Sequence, residues 1–166
     1  MLYFILGGLF LIIDQISKFL TESILNPYES VTIVEGVLDF TRHHNTGGPW
    51  SMLSDYSYLF IIVTFILLIG EIFFFKKFPL TSPMSKLTCS LINAGAIGNL
   101  IDRIFRGYVV DMIRVTFIDY PVFNIADCCI VVGCILMCIY VLFIYKEPAK
   151  KSEFINEESD NEQNNT

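Results

Sequence analysis

The residues of this sequence best suited to chemistry lie within apolar stretches, at spacings of about one helical turn. They form three pairs: Asp14 with Lys18, Asn99 with Arg103, and Asn124 with Asp127. Residues three or four positions apart share one face of a helix, so each pair is able to interact. An ionisable residue inside a membrane span costs about 2.5–3.5 kcal/mol on insertion scales. A set of such residues therefore indicates a functional site.

Two carboxylates, Asp111 and Asp127, are the candidates for acid–base chemistry. They flank a loop containing Pro121, so they are able to face one cavity from opposite sides. Two close carboxylates cannot both ionise cheaply, and one therefore holds a proton that the other lacks. Such a dyad takes a proton from water while donating one to a peptide carbonyl, which allows hydrolysis without a metal. Paired acids also serve proton-coupled transport, so spacing alone leaves both functions open.

The composition indicates a membrane protein. Of its 166 residues, 54% are apolar and 17% are charged, whereas soluble domains carry about 25% charged residues. Four apolar segments are long enough to cross about 30 Å of hydrocarbon. They cover residues 2–25, 58–75, 87–104 and 123–145. No basic stripe interleaves with aromatic residues, so nucleic acid is not an expected partner.

Lysines at the ends of the apolar segments predict the orientation. Six of them fall on one side: Lys76, Lys77, Lys86, Lys146, Lys150 and Lys151. Because short basic loops stay in the cytoplasm, both termini are expected there. Residues 1–146 would form one four-helix membrane domain. Residues 147–166, which are polar and net acidic, would form a cytoplasmic tail without stable structure.

At 1.5 Å per residue, the polar pairs of the first, third and fourth spans fall in one layer beneath the outer surface. The outer segment 28–57 contains two β-prone runs around Glu35-Gly36, which predict a hairpin. The expected fold is therefore an all-α membrane protein with four transmembrane helices. A small extracytoplasmic β-sheet would lie as a cradle between the first and second helices. Glu71, near the inner end of the second span, is interpreted as an interfacial residue.

Five short blocks resemble the lipoprotein signal peptidases, or signal peptidase II, across about residues 10–130. In order they are Asp14-Gln15-Ile16-Ser17-Lys18, Asn45-Thr46-Gly47 followed by Trp50, Gly98-Asn99-Leu100-Ile101-Asp102-Arg103, Val110-Asp111-Met112-Ile113, and Phe123-Asn124-Ile125-Ala126-Asp127. Two places depart from the family's pattern. Gly48-Pro49 replace two small residues, and Met112 replaces a common Phe.

The resemblance implies that Asp111 and Asp127 are the catalytic aspartates. It further implies that five residues bind or orient the substrate: Asn45, Gly47, Asn99, Arg103 and Asn124. Five more would support the site structurally: Asp14, Lys18, Gly98, Asp102 and Ala126. No metal and no cofactor is implied.

The implied substrate is a bacterial prolipoprotein whose cysteine already carries diacylglycerol. Cleavage just before that cysteine would release the signal peptide. The resemblance places the enzyme in the bacterial cytoplasmic membrane, in contact with membrane lipid. Its active site would lie near the outer leaflet, and cyclic peptides of the globomycin type would inhibit it.

Other functions and roles remain open at this point. A transporter would favour polar residues near the membrane midplane and an internal repeat, and this sequence has neither. A relative that only binds lipoprotein precursors would be expected to lose one aspartate, yet both are present. Asp14 and Lys18 have a purely structural interpretation as an internal ion pair. Arg103 also has a purely structural interpretation, as a side chain that extends to the outer lipid headgroups.

Overall fold

Helices and one small sheet make up the described part of the chain. The computed structural model describes residues 2–48, 56–77 and 82–145. The elements are α1 (Leu2–Ile24), β1 (Ser30–Val34), β2 (Leu38–Asn45), α2 (Ser57–Lys77), α3 (Pro83–Phe105), β3 (Val109–Val115) and α4 (Ile125–Ile139), which continues as a π-helical turn (Tyr140–Ile144). The predicted tail, and Pro49 and Trp50, lie outside the described residues.

The four helices occupy the positions of the four predicted spans, but they differ in polarity. Three described segments are long and apolar enough to cross a membrane: Leu2–Ile24, Ser57–Lys76 and Ile125–Ile144. Helix α3 is 23 residues long and buries polar side chains that lower its hydropathy. It contacts each of the other three helices, so those side chains face protein. That α3 also crosses the membrane stays a prediction.

Helices α1, α3 and α4 approach one another closely because glycines lie where they cross. A Cβ atom on Gly133 would lie 2.7 Å from the Ile92 Cγ1 atom and 3.1 Å from the Thr88 carbonyl oxygen. Small residues at such crossings allow membrane helices to gain van der Waals contact. Helix α2, in contrast, has no fully buried residue in its apolar window, so its surface requires lipid around it.

The sheet is antiparallel in the order β1-β2-β3. The predicted hairpin is present, and Gly36 at its turn has a φ of 71°, a conformation that glycine adopts without strain. The prediction that the sheet lies between the first and second helices is incomplete, because β3 comes from the chain between α3 and α4. Gly107, with a φ of 82°, ends α3 and turns the chain into β3.

Pairing between β2 and β3 sets the position of Asp111. Asp111 lies opposite His43, and Val109 lies opposite Asn45. A β-bulge interrupts the ladder between Phe40 and His43. Strand β3 pairs with a strand that is distant in the sequence, so no local hairpin pattern marks residues 109–115 as a strand.

Candidate active site

Asp111 and Asp127 line the same cavity, whose volume is about 580 Å³. Asp111 lies within β3 and is 1% exposed, whereas Asp127 is half-buried in the first turn of α4. The Phe123 carbonyl accepts hydrogen bonds from the Met112 amide at 3.0 Å and the Ile113 amide at 2.9 Å. These bonds close the loop between the two acids and bring the start of α4 beside β3.

Asn124 holds both carboxylates. Its Nδ2 donates to Asp111 Oδ1 at 2.6 Å, and its backbone amide donates to Asp127 Oδ2 at 3.2 Å. Its Oδ1 accepts from the Asp127 amide at 2.9 Å, which completes a capping box at the start of α4. One residue therefore serves as helix cap and as the link between the two acids.

Two further asparagines each hold one carboxylate. Asn45 Nδ2 donates to Asp111 Oδ2 at 2.8 Å, and Asn99 Nδ2 donates to Asp127 Oδ1 at 2.7 Å. The Gly47 amide donates to Asn45 Oδ1 at 3.0 Å, so Gly47 directs the Nδ2 group of Asn45 toward Asp111. Each carboxylate consequently receives hydrogen bonds on both oxygens.

Lys18 organises the layer beneath the two acids and is fully buried. Its ammonium donates to Asp14 Oδ2 at 2.9 Å, Asp102 Oδ2 at 2.9 Å and Asn99 Oδ1 at 3.0 Å. An ammonium has three donors, and all three are used. Because Asn99 Oδ1 accepts from Lys18, the Nδ2 group of Asn99 must point toward Asp127.

Asp14 and the small residues around it join three helices. Asp14 Oδ1 accepts from the Ala126 amide at 2.9 Å, at the N-terminal end of α4. A Cβ atom on Gly98 would lie 2.7 Å from Asp14 Oδ2 and 3.3 Å from the Ala126 Cβ atom. Glycine at 98 and a small residue at 126 thus leave room for the carboxylate.

Asp102 connects α3 to α1 and β3. Besides Lys18, it accepts from the Val110 amide at 3.3 Å and pairs with Arg106. Arg106 in turn pairs with Glu22 at 3.1 Å. The bond to the Val110 amide fixes the strand one residue before Asp111.

Arg103 lines the cavity beside the two acids. Its guanidinium lies over the Phe60 ring, 4.8 Å from the ring centroid, and donates to the Asn99 carbonyl at 3.4 Å. Its Nε is buried and has no hydrogen-bond partner among the described residues. Arg103 therefore packs on Phe60 at the wall of the cavity, with its Nε donor unused by the described residues.

Sequence reasoning did not connect Glu71 with the site. Glu71, interpreted as interfacial, lines the same cavity together with Asn93. Asn93 Nδ2 donates to Glu71 Oε1 at 3.0 Å. The sequence did contain a signal for this pair. Asn93 is a further polar residue in the third predicted span, and Glu71 is an acid in the otherwise apolar second span.

The environment of Asp111 favours its protonated form. Burial, and then the negative charge of Asp127, raise the pKa of Asp111 from its ordinary value of 3.8 to about 7. Hydrogen bonds from Asn45 and Asn124 oppose the rise. Near neutral pH, Asp111 is therefore able to carry a proton.

Comparisons with known proteins identify the fold and the family of the chain. Two solved structures, each described as a bacterial membrane enzyme structure obtained by the in meso method, are similar to this chain. One has a TM-score of 0.78 and 32% identity, covering 89% of this chain and 94% of its own. The other has a TM-score of 0.77 and 34% identity, covering 86% and 94%. The fold is that of a membrane enzyme.

A sequence profile described as Signal peptidase (SPase) II matches residues 6–143. The lipoprotein signal peptidase of Bacillus velezensis is 36% identical over 155 residues, covering 92% of this chain and 99% of its own. That of Anoxybacillus flavithermus is 35% identical over 162 residues, covering 96% of each chain. The chain belongs to the signal peptidase II family, and it is a protease of membrane character.

Replacing Lys18 by methionine is expected to destabilise the fold. Lys18→Met leaves Asp14 and Asp102 buried without the ammonium, and such a loss typically costs about 3–5 kcal/mol. Thermal unfolding of the purified protein in detergent measures the effect. Lys76→Met, at the exposed end of α2, is the matched control and should unfold close to the wild-type temperature. Equal melting temperatures for the two variants would contradict the role of Lys18.

The raised pKa of Asp111 predicts a pH-dependent stability. The folded protein binds this proton more tightly than the unfolded chain does, so the stabilisation is complete below pH ~4 and is lost as the pH rises through about 7. The melting temperature of the wild type minus that of Asp111→Asn should therefore fall between pH ~4 and ~7 and level off at higher pH. A difference that stays constant over this range would argue against a protonated Asp111.

Proposed function

We propose that this protein is an aspartic endopeptidase that removes the signal peptide from diacylglyceryl-modified bacterial prolipoproteins. One observation carries the proposal: two aspartates face one cavity, and Asn124 hydrogen-bonds to both of them. The names of the relatives support the substrate class, since both are lipoprotein signal peptidases.

In the proposed mechanism the two acids share one proton. Asp127, ionised, takes a proton from a water molecule that attacks the carbonyl carbon of the scissile bond. Asp111, protonated, donates to the carbonyl oxygen as it becomes a hydroxyl. Collapse of the tetrahedral intermediate returns the proton of that hydroxyl to Asp111, while Asp127 protonates the leaving amine. Charge is conserved throughout. Because the two carboxyl groups interact, the apparent pKa values seen in a pH–rate profile would describe the pair and not either aspartate alone.

Neighbouring residues would fix the reacting groups. The amides of Asn45, Asn99 and Asn124 hold the carboxylates at 2.6–2.8 Å, so little reorganisation is needed during the reaction. Arg103 lies close enough to the dyad to interact with both of its charges, and its guanidinium, at the wall of the cavity, would donate to a substrate carbonyl.

The cavity suits a substrate that combines peptide and lipid. Polar side chains, among them Asp111 and Asp127, line the cavity together with apolar side chains of α2 and α4. We place the active site near the outer leaflet of the bacterial cytoplasmic membrane, with both termini inside and four helices crossing. Residues 1–146 would be the peptidase domain and residues 147–166 a cytoplasmic tail. Globomycin-type peptides would occupy the same cavity.

Removing either catalytic carboxylate should abolish cleavage. Asp111→Asn and Asp127→Asn keep the side-chain size but remove a proton-transfer group, which is typically worth about 10²–10⁴ in rate. A gel-shift assay of purified enzyme with lipidated precursor measures the loss, and globomycin provides an inhibited reference. Asp119→Asn, an exposed residue of the outer loop, serves as the matched control and should cleave normally. Normal cleavage by both dyad variants would rule out the mechanism.

The lipid of the substrate should contribute to catalysis as well as to binding. A precursor that lacks diacylglycerol loses the interactions that position its scissile bond, so kcat/KM is expected to drop by about 10²-fold or more. The same gel-shift assay compares the two precursors at matched concentrations. Equal rates would show that the enzyme is a general signal peptidase without lipid selectivity.

A further inference from the structure

The cavity does not end at the two aspartates. It continues along α2 and α3 to a second polar group, formed by Glu71 and Asn93. On α2, the dyad's end of the cavity is represented by Phe60, whose ring lies against the Arg103 guanidinium. From position 60 to position 71, α2 advances eleven residues, which is about 16 Å at helical rise. On α3, Asn99 holds Asp127 and Asn93 holds Glu71, and these two asparagines are six residues apart, which is about 9 Å. Glu71 therefore lies about 9–16 Å along the cavity from the dyad.

Glu71 has an incomplete set of partners. It accepts a hydrogen bond from Asn93 Nδ2 at 3.0 Å. It forms no ion pair with any Lys, Arg or His side chain that the structure describes. Asn93 Oδ1 is buried and also has no hydrogen-bond partner among the described residues. A carboxylate in a membrane span is costly and usually marks a functional contact, so a missing cation is the simplest explanation.

The proposed substrate supplies such a cation at the required distance. A signal peptide begins with a basic segment, continues with 7–15 apolar residues and ends at its cleavage site. As a helix, that apolar segment is about 10–22 Å long. With the cleavage site at Asp111 and Asp127, the basic end of a short apolar segment would fall near Glu71, about 9–16 Å along the cavity.

We propose that Glu71, held by Asn93, binds the lysine or arginine that precedes the apolar segment of the signal peptide. The inference rests on the proposed function and adds a specificity-determining contact to it. The Glu71 carboxylate and Asn93 Oδ1 offer two acceptors, and a lysine ammonium has three donors. The contact would select precursors whose apolar segment matches the distance between Glu71 and the dyad.

The test uses the full-length protein in nanodiscs of phosphatidylcholine, a zwitterionic lipid that does not itself attract a basic segment. Two lipidated precursors are compared, one with lysines before the apolar segment and one with glutamines in their place. The wild type should cleave the lysine precursor with a KM about five- to tenfold lower and an unchanged kcat, because the contact is the same in ground and transition states.

Glu71→Gln is the decisive variant, because glutamine preserves the hydrogen bond to Asn93 and removes only the charge. It should cleave both precursors with the KM that the wild type shows for the glutamine precursor. Glu35→Gln, at the exposed hairpin turn, is the matched control and should keep the preference. Four leucines added to the apolar segment move the lysines by about one helical turn and should reduce the preference in the wild type.

Three outcomes would overturn the inference. If the preference persists in Glu71→Gln, the basic segment binds elsewhere. If the wild type shows no preference while cleaving both precursors, Glu71 serves only to hold α2 against α3, and the proposed function stands. If the wild type cleaves neither precursor, the proposed function fails and the inference fails with it.

Discussion

The ammonium of Lys18 is the point on which the site depends. A charge at full burial is tolerated only when it is paired and hydrogen-bonded, and Lys18 has two carboxylates and an amide oxygen as partners. Those partners come from α1 and α3, and Asp14 also accepts from the first turn of α4. The lysine thereby fixes the relative positions of the three helices, and through Asn99 it fixes the direction of the hydrogen bond to Asp127.

The same ammonium gives the four aspartates of the site different roles. Asp14 and Asp102 each accept a hydrogen bond from the ammonium at 2.9 Å, so they belong to the frame that joins the helices. Asp111 and Asp127 are held by neutral amides instead, and they face the cavity. Burial and mutual repulsion then favour a proton on the pair, as the raised pKa of Asp111 indicates. Two aspartates of the frame and two that face the cavity therefore lie close together, and Lys18 hydrogen-bonds only to the first two.

Much of this arrangement could be predicted from the sequence. Helical spacing predicted the contact between Asp14 and Lys18, and the β-prone runs around Gly36 predicted the hairpin. Strand β3 was not predicted, because its partner β2 lies more than sixty residues earlier and no local signal encodes that pairing. The partnership of Glu71 with Asn93 was missed for a similar reason, since contacts between helices depend on their rotation and sequence spacing reports only neighbours on one helix.

The central claim is that Asp111 and Asp127 act together on one amide. An experimental structure with a bound peptide mimic, whose scissile amide is replaced by a hydroxyl-bearing tetrahedral carbon, tests it most directly. The account predicts that the hydroxyl lies within about 2.6–3.2 Å of an oxygen of each carboxylate. A mimic that binds in the cavity but contacts only one aspartate, or neither, would contradict it.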